Sequence, residues 1–141
     1  IRIMEGLQYD WFTEESQRTF VTEPYTITMQ ADRMGYRLEG VKLTFREKRD
    51  LISEPVTFGA IQVPADGNPI ILMADRQTTG GYAKIGQVAL VDLPRLAQMR
   101  PGDKICFAWT TLTEAEKSYA KQETYLAALK DSLAATLQKK N

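Results

Sequence analysis

Five consecutive apolar residues, Ile70, Ile71, Leu72, Met73 and Ala74, stand between two stretches that no regular element tolerates. Ahead of them, Pro64-Ala65-Asp66-Gly67-Asn68-Pro69 reads as a turn, because prolines fix the backbone at both ends and Asp-Gly supplies the reversal. Behind them come Asp75, Arg76, Gln77, two threonines and two glycines. A run this short and this apolar fits a fully buried strand rather than a helix. Such a strand needs partners, and the chain offers them in the same short format. Residues 1–4, 25–30, 34–40, 41–45, 84–91 and 104–109 alternate or are rich in strand formers, with Gly35, Gly40 and Pro101-Gly102-Asp103 as punctuation. Many short strands with turns between them imply a mainly β fold, a closed or nearly closed antiparallel β barrel.

Helical signals are few. Asp10 or Thr13 can cap a helix through residues 11–20, with Glu14 and Glu15 favourable near its N-terminus and Pro24 beyond its end. Asp92 as cap and Pro94 in the first turn predict one or two helical turns over residues 92–100. The C-terminal stretch differs in kind. Thr113 with Glu116 three residues on forms a capping box, and Tyr119, Leu126, Leu129, Leu133 and Leu137 recur at helical spacing. We therefore expect a barrel over residues 1–112, short peripheral helices, and one long helix from about residue 113, packed on the barrel by its apolar stripe.

Charge and composition exclude several functions. Eighteen basic residues balance eighteen acidic ones in 141, and no dense basic run exists beyond Lys139-Lys140, so neither nucleic acid nor an anionic membrane is drawn in. There is no histidine and one cysteine. That removes intrachain disulfides, cysteine-rich zinc sites, histidine ligands and histidine general bases, and no metal is expected. Cys106 is expected as a small buried thiol. No stretch of about 18 apolar residues is present. The chain starts in a strand without an initiating methionine or a signal peptide, which we read as part of a longer, cytoplasmic protein.

The stretch after the buried strand carries the candidate chemistry. Arg76 can hold a carboxylate or phosphate in a bidentate fork, Gln77, Thr78 and Thr79 offer polar side chains, and Gly80-Gly81 can bring backbone amides close to an anion. A salt bridge between Asp75 and Arg76 beside a hairpin turn is the competing reading. Residues 31–36, Ala-Asp-Arg-Met-Gly-Tyr, echo residues 74–82, Ala-Asp-Arg through Gly-Tyr. If the two lie side by side, Asp32, Arg33, Asp75 and Arg76 share one mouth, with arginines for an anion and an aspartate for protons. Lys84 is a third candidate cation, Tyr36 or Tyr82 can close the pocket, and Gln62 can orient a ligand amide or face solvent. No GxxxxGK[ST] loop is present.

With "DWFTEES", "DRMGYRLEG", "GAIQVPADGNPIILMADRQTTGGYAKIG" and "DLPRLAQMRPGD" laid out, the chain resembles the C-terminal half of the KipA-like proteins. These are also known as the C subunit of ATP-dependent 5-oxoprolinase, the second subunit of allophanate hydrolase, or biotin-dependent carboxyltransferase-like proteins. The resemblance runs over residues 1–107 and implies a cyclophilin-like β barrel. It implies a KipI-like partner and a third subunit of the LamB/YcsF type, which together open 5-oxo-L-proline to L-glutamate with ATP bound through the complex. On that reading Asp75, Arg76 and Asp32 are catalytic. Arg33, Gln77, Thr78, Thr79, Gly80, Gly81, Tyr82, Tyr36 and Lys84 hold the anionic substrate. Two alternatives come with the family: a non-catalytic antagonist of a KipI-type histidine-kinase inhibitor, and a carboxyltransferase domain of a urea carboxylase. Ala83 stands where the family pattern has proline, which loosens the loop after Tyr82.

Overall fold

The computed structural model describes the backbone of residues 1–139 and the side chains of residues 1–136; the side chains of Leu137, Lys139 and Lys140 fall outside it. The chain is mainly β. Its principal sheet has eight strands in the order β10 (Ala108–Trp109), β1 (Arg2–Glu5), β8 (Ala83–Val88), β5 (Ala60–Val63), β6 (Ile70–Leu72), β3 (Gly35–Glu39), β2 (Tyr25–Ala31) and β9 (Lys104–Ile105). The two ends of that order are neighbours in sequence. Ile105 pairs with Tyr25 at one edge, and three residues later Ala108 pairs with Arg2 at the other. Two residues cannot span a flat sheet of this width, so the sheet curls until its edges meet. All pairings are antiparallel except β1 with β10, which is parallel.

The interior is filled by the side chains the alternation directs inward. Ile3, Ile27, Leu38, Ile61, Ile71, Ile85 and Ile105 are almost fully buried, together with Phe12, Phe20 and Tyr25. The Tyr25 hydroxyl donates to the Val41 carbonyl at 2.7 Å, and burial first, then the nearby Glu23 charge, pushes its pKa up to about 12. The helix α1 (Glu14–Thr22) closes one mouth, inserting Phe20 against Phe107. Thr13 is its cap and accepts from the Ser16 amide at 3.1 Å, which decides between the two candidate caps.

The turn before the buried strand forms as its residues dictate. Gly67 has φ +83°, and a Cβ there would lie 2.9 Å from the Leu43 carbonyl, so only glycine fits without strain. Residues 41–45, expected as a strand, are not one. Leu43 is buried and its amide donates to Gly67, but Phe45 makes only an isolated bridge with Phe12. Cys106 is exposed rather than buried. The same alternation that sends Ile105 and Phe107 inward turns the residue between them outward.

Asp92 does not cap the short helix α2 (Leu93–Ala97). Its buried carboxylate is taken by Arg2, from Nε at 3.0 Å, Nη2 at 2.9 Å and the backbone amide at 2.7 Å. Burial alone would raise this carboxyl's pKa, but the Arg2 hydrogen bonds and charge outweigh it and hold the value below the ordinary range. The long helix α3 (Leu112–Lys139) starts earlier than its capping box predicted: Thr111 is the cap and accepts from the Glu114 amide at 3.1 Å, while the Glu114 carboxylate accepts from the Thr110 hydroxyl at 3.3 Å, so the cap moves from Thr113 to Thr111 without a reciprocal box. Near its start Ala115 is buried against Ala89 and Val91. Beyond that turn Tyr119, Tyr125, Leu126, Leu129 and Leu133 face outward, and no helix among the described residues is long and apolar enough to cross a membrane.

Replacing Asp92 with Asn should cost about 1–3 kcal/mol, since Arg2 loses a charged acceptor at a part-buried site. Because the folded pKa is depressed, the contribution is present above the ordinary carboxylate pKa and disappears as pH falls through the folded value. Thermal unfolding of wild type and Asp92→Asn should therefore differ clearly at neutral pH and converge in strong acid; parallel curves at all pH values would contradict the assignment.

Candidate functional site

The outer face of the sheet is where side chains of opposite chemistry meet. In β3 the alternation sends Tyr36 and Leu38 inward and leaves Gly35 and Arg37 outside. The register sets Arg37 beside Ile70, and Ile70 beside Gln62, so a cation, an aliphatic side chain and an amide lie in a row across β3, β6 and β5. One step along, Gly35 pairs with Leu72. Over this face folds a two-stranded flap, β4 (Glu54–Pro55) with β7 (Thr79–Gly80), which buries a second apolar cluster of Val56, Ala60, Ile70 and Leu72. Between flap and sheet is a cavity of about 700 Å³. Its floor is aliphatic and its rim polar, the usual make-up of a small-molecule site.

Among the expected site residues, Asp32, Gln77, Thr79, Gly80, Gly81 and Tyr82 line this cavity. Arg33, Asp75 and Tyr36 do not; with Asp32 they line a neighbouring hollow of about 450 Å³ bounded by Phe58, Met99 and Arg100. Arg76, Thr78 and Lys84 line neither. The two Ala-Asp-Arg stretches do lie side by side: the Asp75 amide donates to the Arg33 carbonyl at 3.0 Å, and Arg33 Nε lies 3.5 Å from Asp75 Oδ2. That ion pair is largely exposed and contributes little to stability.

Asp32 commits one carboxylate oxygen, Oδ1, to the turn, accepting from the Met34 and Gly35 amides at 2.8 and 3.2 Å. The Tyr36 hydroxyl reaches the Ala97 and Met99 carbonyls, and burial raises its pKa. Arg76 points away from the cavity, donating from Nε to the Val56 carbonyl and from Nη1 to Ala74, each at 3.3 Å. It staples the flap.

Lys84 lies inside the wall. It is 5% exposed, and its Nζ donates to Glu54 Oε1 at 2.7 Å. Gln8 completes the network, donating to Glu54 at 3.1 Å and accepting from the Lys84 amide at 2.9 Å. The Lys84 hydrogen bond is the main reason the Glu54 carboxyl titrates below its ordinary value. A buried amine and the flap's first residue are thereby tied together. No three potential metal-ligating side chains come together among the described residues.

Sequence reasoning missed Arg37, Gln30 and Ser53, all on the cavity wall. The alternation of β3 was the signal for Arg37, because a residue between Tyr36 and Leu38 must face outward. Gln62 Oε1 is buried without a hydrogen-bond partner, the one such side-chain atom among the described residues. Gly80 lies directly over it; a Cβ there would approach that oxygen to 3.2 Å.

The curled sheet is an architecture shared with known proteins. The chain belongs to the family described as carboxyltransferase domain, subdomain A and B, whose model matches residues 1–109. It is 44% identical over 126 residues to the C subunit of 5-oxoprolinase from Haemophilus influenzae, covering 89% of this chain and 41% of that protein. The identity is 40% over 129 residues to the C subunit of 5-oxoprolinase from Escherichia coli, covering 92% and 42%. The chain thus spans about two fifths of the length of the curated relatives it matches. The solved urea amidolyase of K. lactis superposes with a TM-score of 0.82 at 24% identity, over 88% of this chain and 8% of that one, a likeness of fold.

Glu54→Gln should loosen the flap, because Lys84 keeps its buried charge and loses its carboxylate. Hydrogen exchange at the Val56 amide, which donates across the flap to Thr78, should speed up relative to amides in β5. Unchanged exchange there would show that the ion pair does not hold the flap down.

Proposed function

We propose that this chain is part of the C subunit of an ATP-dependent 5-oxoprolinase, acting in the cytoplasm with a KipI-like and a LamB/YcsF-like subunit to open 5-oxo-L-proline to L-glutamate. The observation that carries this reading is the 40–44% identity, over about nine tenths of the chain, to two proteins named as the C subunit of 5-oxoprolinase. The cavity suits the chemistry. 5-Oxoproline is a small lactam with a carboxylate, and Arg37 offers its guanidinium over an aliphatic floor of Ile70 and Leu72. Activation by ATP passes through anionic species, for which the Thr79 hydroxyl and the Gly80-Gly81 backbone supply neutral donors. In the net reaction water adds to the lactam carbonyl carbon, the C–N bond breaks and the nitrogen takes a proton. Asp32, at the rim, has Oδ1 held by the turn amides and offers Oδ2 as the acid or base within this chain for that proton, and Arg76 is a positioning residue that anchors the flap carrying Thr79.

Carboxyl transfer is the second reading, favoured by the family match over residues 1–109. The distinguishing experiment reconstitutes the intact protein with its two partner subunits and follows 5-oxoproline-dependent ATP hydrolysis. Arg37→Ala, checked for folding and assembly, should lower kcat/KM by roughly a hundredfold, about 2.7 kcal/mol of transition-state stabilisation. Arg76→Ala should lower activity together with protection of the Val56 amide. If Arg37→Ala assembles and turns over normally, the cavity is not the substrate site. If the wild-type complex hydrolyses no ATP with 5-oxoproline but carboxylates an amide from carboxybiotin, the carboxyltransferase reading replaces this one.

A further inference from the structure

The helix α3 carries an apolar stripe that the described residues leave uncovered. Leu126, Leu129 and Leu133 are 48%, 44% and 58% exposed, and Tyr119 lies on the same line. The positions repeat at alternating steps of three and four: Leu112, Ala115, Tyr119, Gln122, Leu126, Leu129, Leu133 and Thr136. Three heptads in that phase make a coiled-coil seam, not the broader stripe of a helix lying on a sheet. Only the first turn is used at home, where Ala115 packs on Ala89 and Val91.

We propose that α3 pairs with α3 of a second copy as an antiparallel two-stranded coiled coil centred between Leu126 and Leu129. The charges beside the seam select both occupant and direction. In this register Leu126 of each copy packs on Leu129 of the other, and Leu133 on Gln122. Glu123 then lies beside Lys130 of the second copy, and the two-fold axis makes that pair twice. Neither residue has an ion-pair partner among the described residues. A parallel pair would set Ser118 against Glu123 and Tyr125 against Lys130, with no opposite charges meeting. It would also crowd both barrels at one end. In the antiparallel pair a helix of 28 residues, about 42 Å long, holds the barrels apart.

This pairing is independent of the chemistry in the cavity, so it stands or falls separately from the proposed activity. The test is sedimentation of the intact protein carrying this segment, at micromolar concentration and low salt, with circular dichroism as the folding control. Wild type should dimerise. Glu123→Lys and Lys130→Glu, each alone, should weaken the dimer at least about tenfold in Kd, and the double exchange should restore it. Two results would overturn the proposal: a monomeric wild type, including one whose helix is covered only when other subunits are added, or a dimer indifferent to the single reversals.

Discussion

The pairing of one six-residue segment with both edges of the sheet is the constraint on which the rest depends. Ile105 hydrogen-bonds into β2 and Ala108 into β1, with only Cys106 and Phe107 between. This closure leaves no long free edge, which mainly β chains must otherwise protect. It also places Phe107 inside, against Phe20 and Tyr25, so that α1 is drawn over the mouth by aromatic packing. The ion pair of Arg2 with Asp92 secures the same seam from outside, joining β1 to the turn before α2 across ninety positions of sequence.

Once the sheet is closed, the cavity needs only a cover. The flap brings one, and it is fixed at two points of different chemistry. At one, Arg76 ties the Val56 and Ala74 carbonyls together. At the other, Lys84 in the wall receives Glu54 from the flap, with Gln8 bridging them. Taking the Lys84 ammonium out of water is costly, and Glu54 offsets that cost only while the flap is down. The buried lysine is thereby committed to the geometry of the cover.

Much of this was legible in the sequence, and the misreadings have physical causes. The buried run at Ile70, the turn at Gly67, the cap at Thr13 and the long terminal helix are local signals, and they appear within a residue or two of their expected places. The adjacency of the two Ala-Asp-Arg stretches was also readable, as an echo. The destination of each side chain within them was not. Arg76 and Lys84 are candidate ligands in the sequence, which shows charge but not direction; in the structure their hydrogen bonds go to Val56, Ala74 and Glu54. Asp92 looked like a cap because its partner, Arg2, lies at the other end of the fold. Residues 41–45 alternate correctly, since Leu43 is indeed buried, yet they make no ladder; burial and strand pairing are separate requirements that one periodicity cannot distinguish.

The division of the sheet into two faces has a consequence for how such a domain diversifies. Tyr36, Leu38, Ile61 and Ile71 fill the interior, while Arg37, Gln62, Ile70 and Leu72, one position away in each strand, face the cavity. Residues that determine folding and residues that determine recognition are interleaved along the chain yet never share a volume. Exchanging the Arg37 cation or the Gln62 amide alters the lining of the cavity while leaving the side chains of the interior in place. One barrel can therefore change the chemistry its outer face presents by a few outward substitutions, with its architecture inherited intact.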